Sequence, residues 1–227
     1  MSDLTLFIGN KNYSSWSLRP WLLLREADIA FNEVRFSLYQ QDSKAQISAH
    51  SPSGRVPALR DDAAIRGGLT VWDSLAICEY IAEQFPIKEL WPHAIDARAV
   101  ARSVSAEIHS GFSALRNAMS MNCRERFPGK GQTPEVLTDI ARITAIWHDC
   151  RARYGNGGGF LFGKFTIADA MYAPVVLRFQ TYAVELDEVA QAYSNAILSL
   201  PSLKEWIAAG VAESETLPQF EPYKSPT

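Results

Sequence analysis

The chain has 227 residues, of which 47% are hydrophobic and 21% charged, the balance of a folded globular protein with a substantial core rather than a disordered chain. A formal net charge of −3 lacks the basic excess of a nucleic-acid binder. No apolar run approaches the ~18 residues that a membrane helix needs.

The N-terminus, Met1-Ser2-Asp3, lacks the basic start and apolar core of a secretion signal, so a cytoplasmic protein is expected. Leu4–Asn10 is short and β-rich and reads as a strand. The spacing then predicts a helix over Ser17–Ala27, with Ser17 as N-cap and Pro20 in the first turn, where a missing N–H costs little. Ser14 and Ser15 fall just ahead of the positive end of that helix, a place that suits an anion, although capping explains serines there equally well. Phe31–Leu38 alternates as a strand, and Asp42–His50 reads as a short polar helix. Ser51–Leu59 is a loop running into a strand, and Asp61–Trp72, with Gly67-Gly68, forms the far side of a hairpin. Asp73 or Ser74 caps a helix over Leu75–Gln84, which Phe85-Pro86 ends. Residues 1–84 are therefore expected to form a small α/β domain.

Residues 85–93, bracketed by Pro86 and Pro92, read as a linker, and from there the character changes. Residues 95–121 and 134–154 carry helical spacing over long spans, the second with Val136, Ile140, Ile143, Ile146 and Trp147 on one stripe. Gly158–Lys164 matches the start of a phosphate-binding loop, but Phe165 stands where Ser or Thr is needed, and no strand leads in. The better reading is a capping box, Thr166-Ile167-Ala168-Asp169, opening a helix that runs to about Val184. Shorter helices follow over Glu185–Leu200 and Pro201–Ala212. The all-helical part thus spans 94–212, and 213–227 reads as an extended tail.

Cys78, Cys123 and Cys150 are widely spaced without a Cys-x-x-Cys pair, which suits free, buried thiols in a reducing compartment. His50, His93, His109 and His148 show no metal-ligand spacing, and no metal site is expected.

Three pieces line up in order: Arg55-Val56-Pro57-Ala58-Leu59, Trp72-Asp73-Ser74-Leu75-Ala76-Ile77, and Thr166-Ile167-Ala168-Asp169. Together they resemble the cytosolic glutathione S-transferase family over nearly the whole chain, from Leu4 to about Ala212. The resemblance implies a thioredoxin-like βαβαββα domain followed by an all-α domain, usually a homodimer, with glutathione as co-substrate in the interdomain cleft. It makes Val56-Pro57 a cis-proline step, at which the Val56 N–H and C=O pair with the ligand peptide as an added strand does. It implies that Asp73 and Ser74 hold the γ-glutamyl end, and that Arg55 reaches the glycyl carboxylate or is merely solvated. Tyr13-Ser14-Ser15-Trp16-Ser17 resembles the Ser-Ser-Cys-Ser segment of the zeta class, which includes maleylacetoacetate isomerases. Trp16 stands where that class has cysteine. Thr181 stands where it has an arginine seven residues after a helical proline, here Pro174, with Arg178 one turn earlier.

The implied chemistry is thiolate activation. An O–H donor and a helix N-terminus lower a thiol pKa from about 8.5, and the register assigns Ser14 as that donor, with Ser15 beside it and Tyr13 as the other hydroxyl in reach. The activated sulfur then attacks a small electrophile in a pocket whose candidates are Tyr13, His109, Phe112, Arg116 and Met119, the last four on one helical stripe. A glutathione-dependent isomerase, such as a maleylacetoacetate isomerase, or a lyase or dehalogenase would use the same sulfur. A non-enzymatic interaction domain of this fold is the remaining alternative.

Overall fold

Alternation within Leu4–Ile8 sets the first layer. Leu4, Leu6 and Ile8 enter the main core, while Phe7 joins a second cluster with Phe36, Ile47 and Ala58 on the opposite face. In the computed structural model, which describes residues 2–64 and 67–224, this strand, β1, lies inside a four-stranded sheet. The sheet also contains β2 (Asn32–Arg35), β3 (Ala58–Asp61) and β4 (Leu69–Trp72), in the order β2-β1-β3-β4. β2 runs parallel to β1 and the other pairings are antiparallel. A parallel neighbour requires a crossover, and α1 (Ser15–Glu26) supplies it. With α2 (Ser43–Ser48) and α3 (Ser74–Gln84), the element order is the expected βαβαββα. Of the hairpin expected over Asp61–Trp72, residues 65–66 lie outside the described residues. The strands on either side pair from Ala58↔Trp72 to Asp61↔Leu69.

The rest is helical: α4 (Ile95–Ser110), α5 (Ser113–Ala118), α6 (Pro134–Tyr154), α7 (Ile167–Tyr182), α8 (Glu188–Ser199) and α9 (Pro201–Ala212). The stripe of α6 is buried as its spacing requires, and Trp147 meets Tyr172, Phe179 and Tyr193 in one aromatic cluster. Nearly every residue of α7 is buried, because α1, α4 and α8 all pack against it. The start of α7 is the expected capping box: Asp169 accepts from the Thr166 N–H and hydroxyl, and also from the Leu161 N–H. Among the described residues no helix is long and apolar enough to cross a membrane. The three cysteines are free and buried.

Three expectations are corrected. The N-cap of α1 is Ser14, whose Oγ accepts from the Ser17 N–H; Ser17 lies within the first turn and Pro20 inside the helix. The span 95–121 is two helices. α4 stops because Gly111 is extended and Phe112 takes a positive φ of 60°, and α5 begins only at Ser113. His109, Phe112, Arg116 and Met119 therefore share no stripe. The tail forms a short 3₁₀ turn at Pro218–Phe220 and folds back over both parts of the chain rather than extending away; Pro226 lies outside the described residues.

Asp169 is the buried carboxylate on which the α7 start depends. Burial pushes its pKa from 3.8 up to about 6, against the hydrogen bonds that favour the charged form. The folded state therefore holds this proton more tightly than the unfolded one, so the group's contribution to stability falls as pH rises from about 4 to 6. Asp169→Ala strips partners from buried N–H groups and is expected to cost about 3 kcal/mol in a urea unfolding titration.

Candidate functional site

The loop between β1 and α1 is held from three sides. The Asn10 carbonyl accepts from the Tyr13 and Ser14 N–H groups. The Asn12 side-chain oxygen accepts from the N–H groups of Cys123 and Arg124, beyond α5. The Glu213 carboxylate, just past α9, accepts from the N–H groups of Lys11 and Asn12. Helix α9 comes so close that a Cβ on Gly210 would lie 3.0 Å from the Asn12 nitrogen. The serines that follow are thus fixed by packing from both parts of the chain, as a preorganised site requires.

Ser14 and Ser15 open a cleft of about 660 Å³ that is also lined by Tyr13, Trp16, Arg55, Val56, Arg116, Arg178 and Phe220. The Val56–Pro57 bond is cis. Among the described residues neither the N–H nor the carbonyl of Val56 has a backbone partner, which leaves an open strand-like edge on the cleft wall. The two serines are engaged differently. Ser14 Oγ donates to Ser17 Oγ at 2.8 Å, while Ser15 Oγ accepts from Arg178 Nη2 at 3.2 Å and keeps its own proton free to donate.

Arginines dominate the electrostatics. Arg178 is buried at the α1–α7 contact, donating to Ser15 and to the Met119 carbonyl. Arg19 is buried on the other side, donating to Ser74 Oγ and the Ile108 carbonyl. Arg116 closes the C-terminal end of α4 by donating to the Ile108 and Gly111 carbonyls. All these partners are carbonyl or hydroxyl oxygens, none a carboxylate. Burial, helped by repulsion from Arg116, brings the pKa of Arg19 and of Arg178 down to about 9. Trp16, the unusual residue of the motif, meets two of them: the Arg19 and Arg116 guanidiniums lie 4.4 and 4.8 Å from its ring centre. Its π-face eases the crowding of two cations beside a helix N-terminus. Asp139 and Asp73 act on Arg116 and Arg19 from a distance, but Arg178 has no carboxylate partner among the described residues, and a buried cation so placed is costly, so the cleft favours negative charge.

The remaining expected residues divide. Tyr13, Arg55 and Arg116 line the cleft with the serines and Val56. Asp73 and Ser74 stand outside its lining. Asp73 caps α3 through Oδ1, pairs with His109 Nε2 at 3.1 Å and holds a positive φ of 77°. Ser74 is buried under Arg19. His109 lies edge-on to Trp16 rather than in the cleft, and burial, with Arg19 and Arg116, pushes its pKa down against the pull of Asp73. Phe112 and Met119 are core residues. The Tyr13 hydroxyl points to the tail, donating to Glu221 at 2.6 Å and accepting from Arg124 and the Leu217 N–H.

Arg178 and Phe220 were not among the expected site residues. Arg178 carried a readable signal, a lone charge in the otherwise uncharged run from Ala170 to Val184. Phe220 carried none, since nothing local to the tail says where it docks.

Family models match both parts of the chain: residues 13–84 match "Glutathione S-transferase, N-terminal domain" and residues 98–209 match "Glutathione S-transferase, C-terminal domain". Maleylacetoacetate isomerase of Mus musculus is 35% identical over 176 residues, covering 76% of this chain and 76% of that protein. Glutathione S-transferase GstB of Escherichia coli K12 is 29% identical over 178 residues, covering 73% of this chain and 81% of that one. The crystal structure of a glutathione transferase homolog from Burkholderia, with bound glutathione, superposes with a TM-score of 0.67 at 20% identity, covering 92% of this chain and 99% of that one.

Arg178 carries a prediction independent of any substrate. Sulfate is expected to raise the melting temperature of the wild type about 2–4 °C beyond that of Arg178→Met, relative to chloride at equal ionic strength, as read by differential scanning fluorimetry.

Proposed function

The chain belongs to the glutathione S-transferase family, and we propose that it binds glutathione in the cleft between the sheet and the helical part and joins it through its thiolate sulfur to a small electrophile. The observation that carries this reading is the Ser15–Arg178 contact at the N-terminus of α1, across a cleft whose other wall exposes the backbone of Val56. The ligand's peptide would pair with Val56, and Arg55 lies on the same wall for the glycyl carboxylate. Asp73 would meet the γ-glutamyl ammonium in competition with His109, and its positive φ, a costly conformation for aspartate, fits a residue held for function. The thiol loses its proton to solvent. Ser15 O–H, the helix N-terminus and the Arg178 guanidinium stabilise the thiolate left behind. A neutral serine hydroxyl is too weak a base to take that proton, and its alkoxide is not populated near neutral pH.

This reading moves the sulfur contact one residue from the register-based assignment. Ser14 spends its proton on Ser17 and caps the helix, whereas Ser15 has a donor to spare and a cation behind it. Against Tyr13 as the donor, its one proton goes to Glu221.

A glutathione-dependent isomerase acting on an anionic substrate is the second reading. Arg116, on the cleft wall without a carboxylate partner, favours it, as does the likeness to a maleylacetoacetate isomerase. In either reading the protein is taken as a cytosolic homodimer, with thiols buried and free.

Retention on immobilised glutathione and turnover of an aryl halide test the activity; a wild type that does neither would point to an interaction domain. Ser15→Ala is expected to lower kcat about 10- to 100-fold with the KM for glutathione kept, and to move the acid limb of the kcat/KM profile to higher pH. Ser14→Ala is expected to act chiefly on stability, costing about 1 kcal/mol. The reverse pattern would place the sulfur at Ser14.

A further inference from the structure

The Tyr13 hydroxyl is fully committed. Its proton goes to Glu221 Oε1 at 2.6 Å, and its oxygen accepts from Arg124 Nη2 at 3.0 Å and from the Leu217 N–H at 3.3 Å. Glu221 and Leu217 belong to the tail after α9, beyond both matched family spans. That tail is fastened along its length. The Glu213 carboxylate accepts from the Lys11 and Asn12 N–H groups, and Arg124 donates to the carbonyls of Glu213 and Glu215. Ser120 Oγ donates to the Phe220 carbonyl and Tyr223 to that of Ala118. At its centre Glu221, 4% exposed, also accepts from Asn122 and pairs with Arg124 and Lys224. Burial pushes its pKa upward, but these hydrogen bonds and Lys224 outweigh that, and the carboxylate stays charged.

Tyr13 nevertheless lines the same cleft as Ser15, two residues ahead of it in the chain. A phenol, with an ordinary pKa of about 10, is far more acidic than an aliphatic alcohol and so the stronger hydrogen-bond donor. We propose that Glu221 selects the hydroxyl that serves the sulfur: by holding the Tyr13 proton it leaves that role to Ser15. Glu221 is thus a positioning residue that acts through Tyr13, and the inference rests on the transferase reading. A bond from a hydroxyl to a charged carboxylate is of the strong kind, and a thiolate in the cleft would have to win the proton from an acceptor already in place. Burial, together with Glu221, also pushes the Tyr13 pKa up, which weakens the phenol as a donor. With the carboxylate gone, Arg124 and the Leu217 N–H remain as donors only, so the Tyr13 O–H loses its acceptor and can turn to the sulfur. Neither hydroxyl gives its proton away. The thiol proton goes to solvent, the hydroxyl donates a hydrogen bond to the thiolate, and the sulfur forms a C–S bond as the carbon–chlorine bond of an aryl chloride breaks and chloride leaves with the electron pair.

The test is a rescue, measured with glutathione and chlorodinitrobenzene. Glu221→Met keeps the length of the side chain and offers no oxygen. Added to Ser15→Ala, it is expected to raise kcat about fivefold over Ser15→Ala alone and to bring the acid limb of the kcat/KM profile back toward lower pH. Adding Tyr13→Phe to that pair is expected to abolish the gain. A purely structural role for Glu221 predicts the opposite sign, a further loss in the double variant. Should Glu221→Met fold poorly, Glu221→Gln replaces it; its neutral amide holds the phenol less tightly, and a gain of about twofold is expected. Binding of S-methylglutathione, which has no thiol to activate, checks that each variant keeps its cleft. No gain in a variant that still binds this probe, or a gain that survives Tyr13→Phe, overturns the proposal. A wild type that neither binds the probe nor turns over the chloride overturns the transferase reading instead, and the wild-type measurements alone tell the two failures apart.

Discussion

The site depends on one buried cation. Arg178 sits where α7 meets the first turn of α1, its guanidinium donating, among the described residues, to the Met119 carbonyl and the Ser15 hydroxyl. Removing such a group from water without an anionic partner is expensive, and the surrounding fold carries that cost. α7 is buried nearly throughout, its start fixed by Asp169, and the aromatic cluster around Trp147 anchors its far side. The same helix therefore serves as the central strut of the helical part and as the arm that carries charge to the cleft.

Around that cation the other elements divide the work. The sheet and the cis Val56–Pro57 bond supply an open backbone edge. α1 supplies a positive helix end with one serine committed to capping and one left free. The break between α4 and α5 turns Arg116 back over the α4 carbonyls and against Trp16, which also meets Arg19. Cation–π contacts with Trp16 let the Arg19 and Arg116 guanidiniums share a small volume, which gives the tryptophan a role within a motif of serines. The tail closes the arrangement, since its Glu221 takes the one proton of Tyr13.

Local chemistry was legible in the sequence wherever a short segment decides its own conformation. The alternation of β1, the stripe of α6 and the Thr166–Asp169 capping box all appear as their residues dictate. The order and spacing of the Val56-Pro57, Asp73-Ser74 and Thr166–Asp169 segments was enough to indicate the family. Continuity of a long pattern misled: apolar spacing persists across 95–121, but Gly111 and the positive φ of Phe112 interrupt the backbone, and a stripe has meaning only within one unbroken helix.

By itself, then, the sequence determined the two kinds of layer, the capped start of α7, and the presence of serines at a helix entry. Which serine is free, why Trp16 is there, that Arg178 rather than a residue at position 181 reaches the first turn of α1, and that Phe220 lines the cleft were decided only by the tertiary structure. Ser15 and Arg178 are separated by 163 positions, and Tyr13 and Glu221 by 208. Such contacts leave no trace in local periodicity, because they depend on how α1, α7 and the tail pack together rather than on any propensity of the residues that meet.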